Sequence, residues 1–309
     1  MGLVFAFMSG LAFAFNNIFI KKGMKNQEGG DNAYFLTVFM NVVLLGLTFF
    51  LAWMVRGFAF SFNLTAFLFF VLSGIFTTAL GRLTLFASIR RIGPSRASAL
   101  KNGAPMFTVL FALLFLGEWI RLGPAVGIAG MLAGILFQGF ILFRQNGGGI
   151  TVSQTEEAKA TTYRQWLGYG LAILSAIAFG VGQGLRKQGL LEMNDAFFGA
   201  WIGAVTSLVF VCLYEAARGQ FITVVRKSFL EVNRYYLLAG VMSTMGPLFF
   251  FLGSTLTQVS YVSVVAAAEP LLTVLISKWM LKQDEPLPWS VWATVFLILC
   301  GTVLMLMTS

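Results

Sequence analysis

Long apolar runs separated by short polar clusters dominate this chain, and the runs are too long for the buried helices of a soluble domain. A helix that crosses a bilayer needs about 20 mostly apolar residues. Ten such spans are predicted, over about 2–20, 33–55, 64–89, 94–116, 122–143, 165–186, 196–217, 234–257, 260–281 and 287–308. The first reads as a span rather than a cleaved signal peptide, because no basic cluster precedes it and its polar Asn16 and Asn17 have a match at Gln183. The sizeable polar interval 144–164 contains Gly147, Gly148 and Gly149 and reads as a flexible linker. It separates a first unit, 1–143, from a second, 165–309, with five spans in each.

The two units carry related text. Phe7–Gly23 aligns with Ile173–Gly189, where Ser9/Ser175, Ala12/Ala178, Phe13/Phe179, Lys21/Lys187 and Gly23/Gly189 coincide. A second pair runs from Gly81 and from Gly246, with Leu83/Leu248, Phe86/Phe251, Ser95/Ser260, Ser98/Ser263, Pro105/Pro270 and Thr108/Thr273 coinciding. An odd number of spans per copy forces the copies into opposite orientations. The expected fold is therefore an all-α membrane protein, ten transmembrane helices arranged as two inverted five-helix repeats. Repeats of this kind commonly flank a central substrate site.

Composition agrees with a membrane location and narrows the chemistry. Of 309 residues, 58% are hydrophobic and 11% charged, with a mean hydropathy of +0.83; soluble domains carry about 25% charged residues. The net charge of +9 falls mostly at the ends of spans, which points to lipid headgroups rather than nucleic acid. Histidine is absent, which removes the commonest general base and metal ligand. Cys212 and Cys300 read as small buried side chains. No metal, cofactor or catalytic constellation is expected, and no Walker-type loop is present for ATP drive. Loops after odd-numbered spans carry 15 Lys/Arg, against Arg56, Arg121, Arg186 and Lys187 on the other side. The positive-inside rule would place the rich side in the cytoplasm and both termini outside.

Polar residues within the hydrocarbon are costly and usually face a cavity or a partner. Asn16, Asn17, Asn41, Arg82, Lys101, Asn102, Gln183 and Glu269 fall in this class. Arg82 and Lys101 approach one membrane face, as do Asn16 and Asn17; Glu269 and Gln183 approach the other, so inversion would bring both sets to one central zone. Ser98, Lys101, Pro105 and Thr108 share a helical face of the fourth span, and Ser263, Ala266, Pro270 and Thr273 share the matching face of the ninth. Pro105 and Pro270 each free a backbone carbonyl at depth, a further pointer to a binding site. Arg82 and Lys101 could hold a carboxylate or phosphate; alternatively each snorkels to the interface or pairs with Glu269. Glu269 is the deep acid, suited either to reversible protonation or to a static pair with Lys101. Glu118, beside Arg121, reads as one half of a surface ion pair. Glycines four apart in the fifth and seventh spans suit close helix packing, within the bundle or at a homodimer face. The loop 218–234 reads as an interfacial amphipathic segment.

At these residues the chain resembles the drug/metabolite transporter superfamily, specifically the ten-helix EamA-type carriers. The first half has GRLTLFASIRRIGPSRASALKNGAPMFTVLFALLFLGE, with Pro105 and a closing LGE at Leu116–Glu118. The second has GPLFFFLGSTLTQVSYVSVVAAAEPLLTVLISKWMLKQDE, with Pro270, and places Asp284 or Glu285 where that acid is expected. The resemblance implies a central cavity lined by spans 1, 3, 4, 6, 8 and 9, with spans 5 and 10 peripheral and both termini in the cytoplasm, opposite to the charge count. A multi-pass protein of the plasma or inner membrane, monomeric or homodimeric, is expected. The expected function is secondary transport of a small polar or amphiphilic metabolite by alternating access, exporting rather than importing, with anionic cargo suggested by Arg82 and Lys101. A flippase for lipids or lipid-linked sugars and a passive channel are the rival readings.

Overall fold

A computed structural model describes residues 1–25, 33–92, 94–145, 156–230 and 234–281, with scattered helical positions from 289 to 307. The described secondary structure is all helical. Spans one and two are α1 (Gly2–Lys25) and α2 (Ala33–Val55). The third combines α3 (Leu64–Gly74), a π-helical stretch (Ile75–Arg82) and α4 (Leu83–Ile92). The fourth is split into α5 (Pro94–Lys101) and α6 (Ala104–Phe115), and the fifth is α7 (Leu122–Gln145). In the second half come α8 (Glu156–Glu192), α9 (Ala196–Ala217), the short α10 (Phe221–Leu230) and α11 (Arg234–Leu256). The ninth span is split into α12 (Val259–Ala266) and α13 (Glu269–Leu281). Among the described residues seven spans are long and apolar enough to cross a membrane unbroken or nearly so. Leucine and phenylalanine on outer helix faces, such as Leu114 and Phe115 of α6 at 67% and 70% exposed, need lipid to cover them.

Three sequence expectations shift. The linker is shorter than 144–164, because 144–145 end α7 and 156–164 begin α8; the segment from 156 is rich in good helix formers. The π stretch in span three was not expected. It widens the helix and frees carbonyls, and Thr77 Oγ1 answers by donating to Ser73 O at 2.8 Å. Lys187, just past the expected end of the sixth span, lies within α8. The 218–234 loop does contain a helix, α10, with Ile222 79% and Leu230 71% exposed.

The repeats interlock across their boundary. α1 lies along α11, and α8 lies along α3, the π stretch and α4. Ser9 Oγ donates to Gly246 O at 2.7 Å, and Ser175 Oγ donates to Gly81 O at 2.7 Å. These are the same bond made twice, since Ser9/Ser175 and Gly81/Gly246 are the coinciding residues of the two copies. A Cβ on Gly246 would meet the Phe13 ring at 2.8 Å, and one on Gly81 the Phe179 ring at 3.0 Å. Gly23 against Tyr236 and Gly189 against Phe70 form a further matched pair. Each first helix thus seats in the third helix of the opposite copy, where glycine lets an aromatic ring lie on the backbone. Gly199 also packs within the bundle, facing Phe251 and Phe70, and Gly301 of the last span meets Met131 and the Gly127 carbonyl of the fifth.

Candidate functional site

Spans four and nine break at equivalent places. Pro105 and Pro270 do not kink a continuous helix; each sits in the first turn of a new half-helix, where its missing N–H costs no bond. Asn102 lies in the first break, its backbone N–H still bonded to Ser98 O at 3.0 Å. Ala267 and Ala268 form the second break, and Glu269 opens α13, where its charge meets the positive helix end.

The first helix of each repeat aims an amide at these breaks. Asn17 Nδ2 donates to Glu269 Oε1 at 2.7 Å. Gln183, the matching residue of α8, accepts on Oε1 from Thr108 Oγ1 at 2.9 Å and from Ser263 Oγ at 2.6 Å. Gln183 therefore ties α6 of its opposite repeat to α12 of its own. Asn17 is exposed although it lies eight residues before the end of α1 at Lys25, about 12 Å along the helix. An amide at that depth is costly unless a polar partner takes its hydrogen bonds, and Glu269 is that partner. Asn16 Oδ1 is buried and has no hydrogen-bond partner among the described residues.

The cations are arranged differently from the sequence expectation. Lys101 ends α5 and sets Nζ over the Phe179 ring, 5.2 Å from its centroid. It forms no ion pair with Glu269 among the described residues. Arg82 closes the π stretch, half-buried, near enough to Arg186 for the two guanidinium charges to repel. Arg186 donates from Nε to Ser73 Oγ at 3.2 Å and lies over the rings of Phe250 and Phe251, at 5.6 and 5.4 Å. Sequence reasoning missed Arg186 because it stands near the end of a span, where a charge ordinarily reaches water. Asn41, also singled out, accepts from Ser243 and Thr244 at 2.7 and 2.9 Å and serves to join α2 to α11.

One membrane face, that of the N-terminus, is clasped across the repeats. Glu118 is not paired with Arg121; its Oε1 accepts from the Val259 N–H at 2.8 Å and its Oε2 from the Ser260 N–H and hydroxyl at 3.3 and 2.6 Å. The orphan N–H groups at the start of α12 are a stronger attraction for a carboxylate than an exposed guanidinium. The corresponding acids of the second half, Asp284 and Glu285, lie outside the described residues. On the same face Arg56 Nη1 meets Asp195 Oδ2 at 2.8 Å, Asn63 Nδ2 donates to Glu192 O at 3.2 Å, and Gln258 Nε2 donates to Trp119 O at 3.1 Å. Lys187 Nζ donates to the Ser254 and Thr257 carbonyls at 2.6 and 3.0 Å, closing the end of α11.

Comparison with known proteins agrees with this architecture. The model of the EamA-like transporter family matches residues 1–140 and again 166–307. Staphylococcus aureus strains Mu50 and N315 each hold a similar protein, named "Probable glucose uptake protein GlcU". Each is 24% identical over 293 residues, covering 94% of this chain and 91% of its own length. A solved crystal structure superposes with a TM-score of 0.67 at 14% identity, covering 100% of this chain and 99% of the other, which speaks to the fold alone. With two copies of one unit, helices made for lipid and polar groups gathered where spans four and nine break, the chain belongs to the EamA-like transporter family, as a multi-pass transporter of the cell membrane and not an enzyme.

Proposed function

We propose that this protein is a secondary carrier for a small neutral solute rich in hydroxyl groups, of the monosaccharide class, working by alternating access. The observation that carries the reading is the pair of matched amides, Asn17 and Gln183, each bonded to a broken helix beside Glu269, Thr108 or Ser263. Amides and hydroxyls that donate and accept, with a carboxylate that accepts, suit sugar hydroxyls, and the unpartnered Asn16 Oδ1 is one more acceptor for them. Lys101 and Arg186 lie against aromatic rings, which favours neutral cargo over the anionic cargo expected from Arg82 and Lys101. The glucose uptake named for the S. aureus relatives points the same way.

Two inverted halves can run the cycle in either sense, so gradients rather than architecture set direction. The relatives' name favours uptake over the export expected from the sequence. Glu269 is the coupling group in this reading: ionised, it holds the Asn17 amide; protonated, it weakens that bond and lets the break move. The test is counterflow of labelled D-glucose, D-ribose and inorganic phosphate in proteoliposomes. Sugar counterflow should saturate, persist in Glu269→Gln, and lose its response to a pH gradient in that variant. Lys101→Ala should lower the rate by removing the contact with the Phe179 ring beside the break in span four. Phosphate counterflow with no sugar counterflow would overturn the neutral-cargo reading, and a Glu269→Gln carrier that still follows the pH gradient would remove Glu269 from coupling.

A further inference from the structure

A cavity of about 710 Å³ lies at the clasped face, between the loop after α6 and the α11–α12 junction, with Trp119, Arg121, Lys187, Gln258 and Tyr261 among its walls. It is outside the central polar set but directly in line with it. Lys187 is four residues from Gln183 on α8, so the two share a helical face about 6 Å apart.

The orientation of the Gln258 amide is fixed, because Nε2 donates to Trp119 O at 3.1 Å and the reverse would set two acceptor oxygens together. Gln258 Oε1 is then left buried with no hydrogen-bond partner among the described residues. Buried acceptors are ordinarily satisfied, so this one calls for a donor. Trp119, 88% exposed, offers an open aromatic face beside it, and Arg121 is an exposed donor. An anion would place lone pairs against the Gln258 oxygen, and the Lys187 ammonium already serves two carbonyls. A hydroxyl-bearing neutral molecule satisfies all three groups.

We propose that this cavity is a second, outer solute site, in which a solute hydroxyl donates to Gln258 Oε1, Arg121 donates to solute oxygens, and Trp119 covers a C–H face. Its ligand class rests on the carrier reading above; its position does not. Solute held there sits one helical turn from the central amide, among the residues that clasp this face.

The test uses purified full-length protein in detergent, with Cys212→Ser and Cys300→Ser removing both native thiols and Thr255→Cys placing one in the cavity wall. Maleimide labelling of that thiol is timed with and without D-glucose, D-ribose and inorganic phosphate. At ten times the half-saturating sugar concentration, labelling should slow about tenfold. Protection should survive Glu269→Gln and disappear with Gln258→Leu. Trp119→Ala, which removes a ring outside the packed core, should weaken it without affecting folding. Equal protection in the Gln258→Leu protein, or protection by phosphate alone, overturns the proposal. Sugar counterflow without protection overturns the outer site and spares the carrier reading. Protection without counterflow supports the outer site and overturns the carrier reading, and absence of both overturns both.

Discussion

Replacing Glu118 tests whether the two repeats are joined by a helix cap. The carboxylate accepts three hydrogen bonds at the start of α12, from Val259 N–H, Ser260 N–H and Ser260 Oγ. Losing a cap costs about 1 kcal/mol, and removing a negative charge from a partly buried helix start costs up to about 2 kcal/mol more. Side-chain hydrogen bonds between membrane helices average only about 0.6 kcal/mol, so the charge at the helix end, not the bond count, sets the scale. Glu118→Ala should therefore destabilise the protein by about 2 kcal/mol, and Glu118→Gln by about 1 kcal/mol, since one acceptor oxygen survives without the charge. The assay is equilibrium unfolding in mixed micelles of rising SDS content, followed by tryptophan fluorescence. Arg121→Ala supplies the contrast. If Glu118 were half of a surface ion pair, a double-mutant cycle with Arg121 would show coupling. The cap predicts near-zero coupling to Arg121 and measurable coupling to Ser260→Ala. A Glu118→Ala protein as stable as the parent, or one coupled to Arg121 instead of Ser260, would refute the reasoning.

Further expectations follow from packing and from the clasped face. A Cβ at Gly180 would lie 2.8 Å from Ala104 O and 2.9 Å from Thr108 N, backbone atoms of the first two turns of α6; Gly180→Ala should cost about 1–3 kcal/mol in the same unfolding assay and slow transport. Gly130 has no described atom within 4 Å of its would-be Cβ, so Gly130→Ala should stabilise α7 by about 0.5–1 kcal/mol through backbone entropy; a loss instead would mark that stripe as a contact face between two copies of the chain. Asp195 accepts from Phe197 N–H and Phe198 N–H at 3.1 Å each, as well as from Arg56. Asp195→Ala should thus cost about 1 kcal/mol or more, whereas Arg56→Ala, at a side chain 46% exposed, should cost well under 1 kcal/mol.

The plan of this molecule is largely written in its sequence, and the parts that are not share a cause. Apolar runs of membrane length and the doubled text from Ser9 and from Gly81 specify spans and inversion, because each is a local or periodic property. The breaks near residues 102 and 267 are readable for the same reason, since a proline at depth cannot complete the helical bond pattern. The π stretch from Ile75 to Arg82 escapes, because one altered turn leaves the apolar pattern intact. The role of Glu118 escapes because its nearest cation in sequence, Arg121, is three residues away while its partner Val259 is 141 away. Arg186 escapes because only tertiary structure supplies the rings of Phe250 and Phe251 that hold its charge inside.

The doubled text also separates the parts of the protein that should move from those that should not. In a carrier of two inverted copies, one access state maps onto the other when the copies exchange conformations. A contact whose image is present in the same structure is then common to both states. A contact lacking an image belongs to one state. Ser9 to Gly246 and Ser175 to Gly81, each 2.7 Å, satisfy the first condition and, under the alternating-access proposal, would mark the axis on which the halves turn. Lys187 satisfies the second: it closes the end of α11, while its counterpart Lys21 is exposed and makes no such contact among the described residues. Ser9→Ala and Ser175→Ala should therefore slow counterflow to a similar extent and leave the balance of states unchanged. Lys187→Met should shift that balance, raising the thiol accessibility of Thr255→Cys at the clasped face at the expense of the opposite face. Equal labelling with and without Lys187→Met, or a shift caused by either serine variant, would show that the division between axis and clasp is drawn in the wrong place.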